Sequence, residues 1–405
     1  MNPDIRLQFP ALQRIHNGKN LVFLDGPAGV QVPHVVIDSI SDYYKTSNAN
    51  SHGAFITAKE TDIVLDSTRS NVATFLGAEG PHTISFGQNM TTLNFSLSQA
   101  IGRALQAGDE ILITQLDHES NRGPWLGLRD KGIIVREVAL LQNGELDYED
   151  FAAKINERTR LVAMGYAANI FGTINKVEAV RKMTYEVGAW LLVDAVHYAP
   201  HLSIDVQALG CDFLLCSAYK FYGPHVGLLY TRPGLLDRLQ PDRLRTSAQN
   251  APYSIETGTP NHAALAGVKA SIDFIASFGK GEDLRARILS SMDLIHQHEI
   301  ALARQLSEGL DRIEGVTLVG PPIVNGHRAP TLAFTMEGKS PNEVCEYLAG
   351  KNICAWGGHF YALRAIEVLG LLERGGVTRM GMSMYNLPSE IDYTLEVIEE
   401  LASLA

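Results

Sequence analysis

Lys220 stands in a setting suited to covalent chemistry. It lies in CSAYKFYGPHVG, between an apolar, strand-like run at 212–216 and another at 226–230. A lysine between two buried strands is costly as a cation, because its charge must leave water. Burial lowers the amine's pKa and favours its neutral, nucleophilic form. Such an amine condenses with a carbonyl, and the obvious one is the aldehyde of pyridoxal 5′-phosphate (PLP).

Other residues fall where such a cofactor would need them. Asp194 ends the apolar run 190–193 in WLLVDAVHYAP. PLP acts as an electron sink only while its pyridine nitrogen is protonated, and a buried carboxylate holds that proton. Alone, Asp194 reads first as a helix cap; beside Lys220 the cofactor role prevails. His118 follows the run 110–116 in ITQLDHESN. Its planar ring could stack on the pyridine or be that of an ordinary loop histidine, and position does not choose between them.

Asn89 and Met90 precede the helical pattern 91–105, after HTISFGQ. A helix N-terminus presents free N–H groups to an anion such as the PLP phosphate; a plain helix cap reads the same way. Asn169, in YAANIFGT, can donate to the cofactor's 3′-oxygen. His197 can serve that oxygen or a substrate proton, although His197 and His201 also read as a simple loop pair. Pro200 between them breaks the helix that metal binding at their spacing would need. No Cys, His and carboxylate cluster has zinc spacing, so no metal is expected. Arg379, in VTRMGMSMYN, could grip an amino-acid carboxylate with two parallel hydrogen bonds. Its default reading is an edge-strand surface arginine.

These residues need a scaffold, and the chain supplies one. Strand-like runs at 21–24, 82–86, 110–114, 133–138, 160–164, 190–193, 212–216 and 226–230 alternate with helical patterns such as 91–105 and 177–187. That rhythm predicts an α/β domain with a mostly parallel sheet. After about residue 260 come a long helical pattern at 283–313, shorter strands at 316–319, 331–335 and 378–382, and helices near 341–348 and 389–401. The expected division is a large domain over 16–265 and a smaller α+β domain over 266–405, with residues 1–15 packing on it. Open α/β sheets bind ligands beyond the carboxyl ends of their strands, where the motif residues fall.

Composition bounds the partners. The chain has 405 residues, 45% hydrophobic and 20% charged, and a net charge of −11. Such a balance disfavours nucleic acid and anionic membranes. Four cysteines make no disulfide framework at this length, and Cys211 and Cys216 read as small core residues. The N-terminus has no long apolar stretch and no run approaches the ~20 apolar residues of a membrane span. A cytoplasmic protein in a reducing compartment is expected.

Taken together, the motifs resemble fold-type I PLP enzymes, and within them the class V aminotransferase family in its cysteine desulfurase/selenocysteine lyase-like branch. The resemblance runs through FLDGPAG, GQNMTT, LDHESN, ANIFGTIN, VDAVH, CSAYKFYGP, ETGTPN and TRMGMSMYN. Several motifs in order are far more specific than one. The resemblance implies that Lys220 bonds the cofactor and moves protons, Asp194 pairs with the pyridine nitrogen and His118 stacks on the ring. It further implies Asn169 and His197 near the 3′-oxygen, Asn89, Met90 and Ser217 on the phosphate, and Arg379 on the substrate carboxylate. Gly258 and Thr259 would reach the phosphate of a neighbouring subunit, so a homodimer with shared active sites is implied.

One segment departs from the family. Cysteine desulfurases of the second group carry a nucleophilic cysteine in a loop reading roughly R-x-G-H-H-C. Here residues 356–361 read WGGHFY, with Trp356 at the arginine position and Tyr361 at the cysteine position. Cys354, the nearest thiol, lies upstream in an apolar run. A desulfurase needs a thiolate to accept the substrate sulfur, and a tyrosine cannot serve. The expected function is therefore a PLP enzyme acting on an amino acid, with C–S β-lyase chemistry that uses no loop cysteine. Aminotransferase and epimerase chemistry, and a non-catalytic PLP-binding protein, are the alternatives. His359, Tyr361, Trp356 and Phe360 are the candidates for the substrate side-chain pocket, with Asn50 and His52 behind them.

Overall fold

The computed structural model describes residues 3–324 and 327–404. Seven strands form the central sheet: β1 Ile84–Gly87, β2 Glu110–Thr114, β3 Ile134–Val138, β4 Thr159–Gly165, β5 Trp190–Asp194, β6 Phe213–Ser217 and β7 Gly227–Thr231. Their order across the sheet is β1-β7-β6-β5-β4-β2-β3. Only β7 runs against its neighbours.

Strand side chains alternate between two faces, and here both faces are apolar. Leu112, Val162, Met164, Leu191, Val193, Leu214 and Leu228 enter one core. Their neighbours Ile111, Ile113, Leu161, Ala163, Leu192, Phe213, Leu215 and Leu229 enter the other. A sheet covered on both faces by helices explains why these strands read as continuous apolar runs rather than alternating ones.

Helices α1 His34–Thr46, α2 Ile56–Leu76, α3 Met90–Ala104, α4 Val177–Glu186, α5 His262–Ala276 and α6 Leu284–Leu310 follow in the chain. Thirteen of the fifteen residues of α5 are buried, and it packs against α1 and α2. The expected division at 265/266 falls inside this helix. A helix apolar all round has no polar stripe to mark its limits.

The smaller sheet holds β8 Val316–Val319, β9 Thr331–Met336, β10 Trp356–Gly358 and β11 Val377–Gly381, antiparallel in the order β8-β9-β11-β10. Helices α7 Pro341–Gly350 and α8 Pro388–Ser403 pack beside it. The N-terminal segment touches both parts of the chain. Buried Phe9 meets the rings of Tyr222, Phe274 and Tyr385, while Arg6 pairs with Glu390 of α8.

The start of β7 presses on the start of α3. A Cβ at Gly227 would stand 2.3 Å from the carbonyl carbon of Asn89 and 2.8 Å from the amide nitrogen of Met90. Backbone atoms cannot swing aside as a flexible side chain can. Gly227→Ala should cost about 1–3 kcal/mol through overpacking, read as a lower midpoint of denaturant unfolding. An unchanged midpoint would mean that this contact relaxes freely.

Candidate active site

The carboxyl ends of β4, β5 and β6 open into one cavity of about 390 Å³, within the ~300–1,000 Å³ typical of ligand pockets. Its walls include Lys220, Asp194, His118, Asn169, His197, Ser217, Asn89, Met90, Tyr361 and Arg379. With Trp356 and Phe360, which also line it, twelve of the expected site residues meet in one place.

Lys220 closes the short helical turn after β6. Its Nζ donates to the backbone carbonyls of Pro27 and, at 3.1 Å, Ala28. Desolvation, reinforced by the Arg379 charge, pushes the amine down to about 7, against the opposing pull of Asp194 and Asp25. The segment that supplies those carbonyls is tied to β11: the Gly381 amide donates to the Leu24 carbonyl at 2.8 Å, and Asp25 bridges Gly381. The strand that carries Arg379 therefore also holds the carbonyls that engage Lys220.

Asp194, the last residue of β5, is pushed up to about 7 by burial, with Asp117 adding to the rise. One carboxylate oxygen accepts the Val196 amide at 3.0 Å. His118 Nδ1 accepts the Ser120 amide at 3.0 Å, which places the proton of the neutral ring on Nε2. Burial, then the charges of Lys220 and Arg379, push His118 down to about 4, so the ring is neutral at pH 7. The Tyr361 ring lies 5.2 Å from it.

Helix α3 points its first turn at the cavity. Asn89 caps it by accepting the Thr92 amide at 2.9 Å, and the Met90 amide donates to Ser217 Oγ at 3.1 Å. The Thr91 amide, in the same turn, has no acceptor within the helix, and Thr91 lines the cavity. Arg379 is buried, donates to the Asn169 carbonyl at 2.9 Å and lies 3.9 Å from the Phe360 ring centroid. Burial pushes it down to about 9, which leaves it charged at neutral pH. The edge-strand surface reading of Arg379 is thereby corrected: β11 is an inner strand, with β9 and β10 on either side.

Other placements differ from expectation. The Asn169 amide donates to the Phe360 carbonyl at 2.9 Å, and its buried Oδ1 has no partner. His197 Nε2 bonds Thr331 Oγ1 at 2.9 Å, while His201 pairs with Glu299 at 2.7 Å. His359 is outside the cavity wall, because its ring caps the turn by accepting the Tyr361 amide at 3.2 Å. Asn50 and His52 also lie off the wall. Gly258 and Thr259 line a separate pocket with Gln88, His225 and Glu256, so within one chain they do not reach Lys220. Among the described residues no group of three or more His, Cys, Asp or Glu could hold a metal, and no helix is long and apolar enough to cross a membrane.

Two further buried acids stand in the site beside Asp194: Asp25 acts on both cations, and Asp117 acts on Asp194. Asp117 accepts the Gly165 amide and the Asn121 side chain at 2.9 and 3.0 Å, tying the end of β2 to the end of β4. Burial pushes it up to about 6. Asp25 is likewise pushed up to about 6 by burial, opposed by Arg379, the Trp356 side chain and Lys220. Each follows a strand-like run as Asp194 does, which was the available sequence signal.

This donor set fits PLP. The first turn of α3 and Ser217 would take the phosphate, Asp194 the pyridine nitrogen and the flat, neutral ring of His118 the pyridine face. The unpartnered Asn169 Oδ1 would accept from a hydroxyl, and Lys220 would meet the aldehyde.

The profile of the family "Aminotransferase class-V" matches residues 22–394. The chain is 31% identical to a probable cysteine desulfurase of Halalkalibacterium halodurans, covering 98% of this chain and 97% of that one. It is 30% identical to a cysteine desulfurase of Yersinia pseudotuberculosis, covering 99% and 98%. The apo structure of a cysteine desulfurase from Thermococcus onnurineus superposes with a TM-score of 0.90 at 27% identity, covering 100% and 99%. The cysteine desulfurase CsdA (S-sulfonic acid) from Escherichia coli superposes at 0.87 and 26%, with the same coverage. Motif order, site geometry and a match over nearly the whole length lead to one conclusion: the chain belongs to the class-V aminotransferase family and is a PLP-dependent enzyme.

Proposed function

We propose that this enzyme cleaves the Cβ–S bond of a cysteine-type amino acid without a protein thiol. Net, cysteine and water would give hydrogen sulfide, pyruvate and ammonia. The carrying observation is the state of its cysteines. None of the four lines the cavity. Cys354 is pushed up to about 11 by burial and by Asp25, so at neutral pH it stays a thiol, which is neither nucleophile nor sulfur acceptor.

The remaining residues divide the work. Arg379 would hold the substrate carboxylate in a charge-assisted pair. Bound PLP supplies an electron sink for the pair left at the α-carbon. Lys220, with a pKa near the working pH, would take the α-proton and return it. The sulfur would keep the Cβ–S electron pair and leave protonated. Asp194 would hold its proton inside the cavity, and neutral His118 would cover the ring without adding charge. The reading includes a homodimer, with Gly258 and Thr259 completing the partner's phosphate site.

Two measurements test it. Sulfide and pyruvate should form in equal amounts from L-cysteine. Lys220→Ala should lower that rate by at least about 10²–10⁴-fold, and Cys354→Ala should retain most of it. If Cys354→Ala abolishes turnover, the thiol-free reading fails.

The second concerns pH. An amine is reactive when deprotonated, so uptake of PLP by cofactor-free protein should quicken as pH rises through 7. The rate should climb about tenfold from pH 6 to pH 8 and then level, whereas an ordinary lysine near ~10.4 would climb ~100-fold and keep rising. Asp194→Asn separates the lysine from the carboxyl that titrates in the same window. A slope that continues past pH 9 in both proteins would refute the lowered amine.

A further inference from the structure

The loop that replaces the thiol builds an aromatic wall, and the residues of the site hold it in place. In the antiparallel pair of β10 and β11, Trp356 stands directly opposite Arg379, so the two side chains share a face. The Trp356 side chain favours the charged form of the neighbouring Asp25 carboxyl. Phe360 lies under the Arg379 guanidinium, and Tyr361 lies against His118. Phe360 and Tyr361 both have positive φ, +51° and +58°, a strained setting for bulky residues. Besides the His359 cap, two bonds from outside the loop support that turn: the Asn169 amide to the Phe360 carbonyl, and the Glu119 amide to the Tyr361 carbonyl at 2.7 Å.

The wall is open where a substrate side chain would enter. Trp356 is 55% exposed and Tyr361 67% exposed, although both line the cavity. Large rings left against water at a cavity mouth favour an apolar occupant. Of the nearby donors, Arg379 is engaged by the Asn169 carbonyl and the Asn169 amide by the Phe360 carbonyl. A small polar thiol would cover none of this surface.

We infer that the substrate is an S-substituted cysteine whose sulfur carries an aromatic or other bulky apolar group, seated on Trp356, Phe360 and Tyr361. This rests on the thiol-free lyase reading above. The step is balanced: R–S–CH₂–CH(NH₃⁺)–COO⁻ and water give R–SH, pyruvate and ammonium. The α-proton leaves, the Cβ–S bond breaks with its pair on sulfur, and the sulfur takes a proton. No oxidant or reductant enters. Trp356 is a specificity residue, acting on the leaving group rather than on the α-carbon.

The test measures pyruvate from L-cysteine, S-methyl-L-cysteine and S-benzyl-L-cysteine with the PLP-loaded enzyme. S-Benzylcysteine should exceed S-methylcysteine in kcat/KM by about 10–200-fold. Trp356→Ala should collapse that ratio mainly through KM, and Trp356→Phe should restore much of it. The PLP absorption band of each variant reports whether the site is intact. Equal kcat/KM for the two thioethers, with pyruvate still formed from cysteine, overturns the substrate class and leaves the lyase reading standing. No pyruvate from any of the three overturns both.

Discussion

Desolvation of Lys220 is the constraint on which the rest of the site depends. An amine this deeply buried cannot hold a full positive charge without opposing anions. Arg379, a second buried cation, makes that demand greater. Asp194 and Asp25 meet it, and both are themselves pushed upward by burial, as is Asp117 beside Asp194. The result is a set of groups that all titrate within reach of neutral pH. Proton transfer is easiest between groups of matched affinity, so the same burial that destabilises each charge makes their exchange accessible.

The fold brings these charges together by exploiting strand ends. The central sheet is covered on both faces, so polar side chains find a place only where strands stop. Asp117 and Asp194 follow or end β2 and β5, and Lys220 follows β6. The second contribution comes from the smaller sheet. Strand β11 carries Arg379 and anchors the 24–25 segment, whose following carbonyls engage Lys220. A displacement of β11 would therefore move Arg379 and the lysine's hydrogen-bond acceptors at once.

This placement also decides which parts were legible in the sequence. Lys220 and Asp194 were readable because an ionisable residue directly after an apolar run adds nothing to packing and must be satisfied by something else. Asp25 and Asp117 have the same signature, but each sits in a motif whose neighbours carry a stronger one, glycines in one case and His118 in the other. His359 and Tyr361 are close in sequence yet face different surroundings, because the positive φ of Phe360 and Tyr361 turns the chain. No residue pattern announces such a turn when the residues are aromatic. Helix α5 is hidden for the opposite reason: burial on every side leaves no polar stripe, so nothing in residues 262–276 marks where the helix begins or ends.

The loop at 356–361 then stands in a different light. In the sequence it is a place where a thiol is missing. In the structure it packs beside three of the charged or titratable groups of the site, Trp356 beside Asp25, Phe360 against Arg379 and Tyr361 against His118. A nucleophilic loop must move its thiol up to the substrate and then away carrying sulfur. A loop held by the Asn169 and Glu119 bonds, with strained backbone at Phe360 and Tyr361, is suited instead to a fixed surface. On the proposed reading the chemistry would fall to Lys220, and the loop's contribution would be to select what Lys220 acts upon.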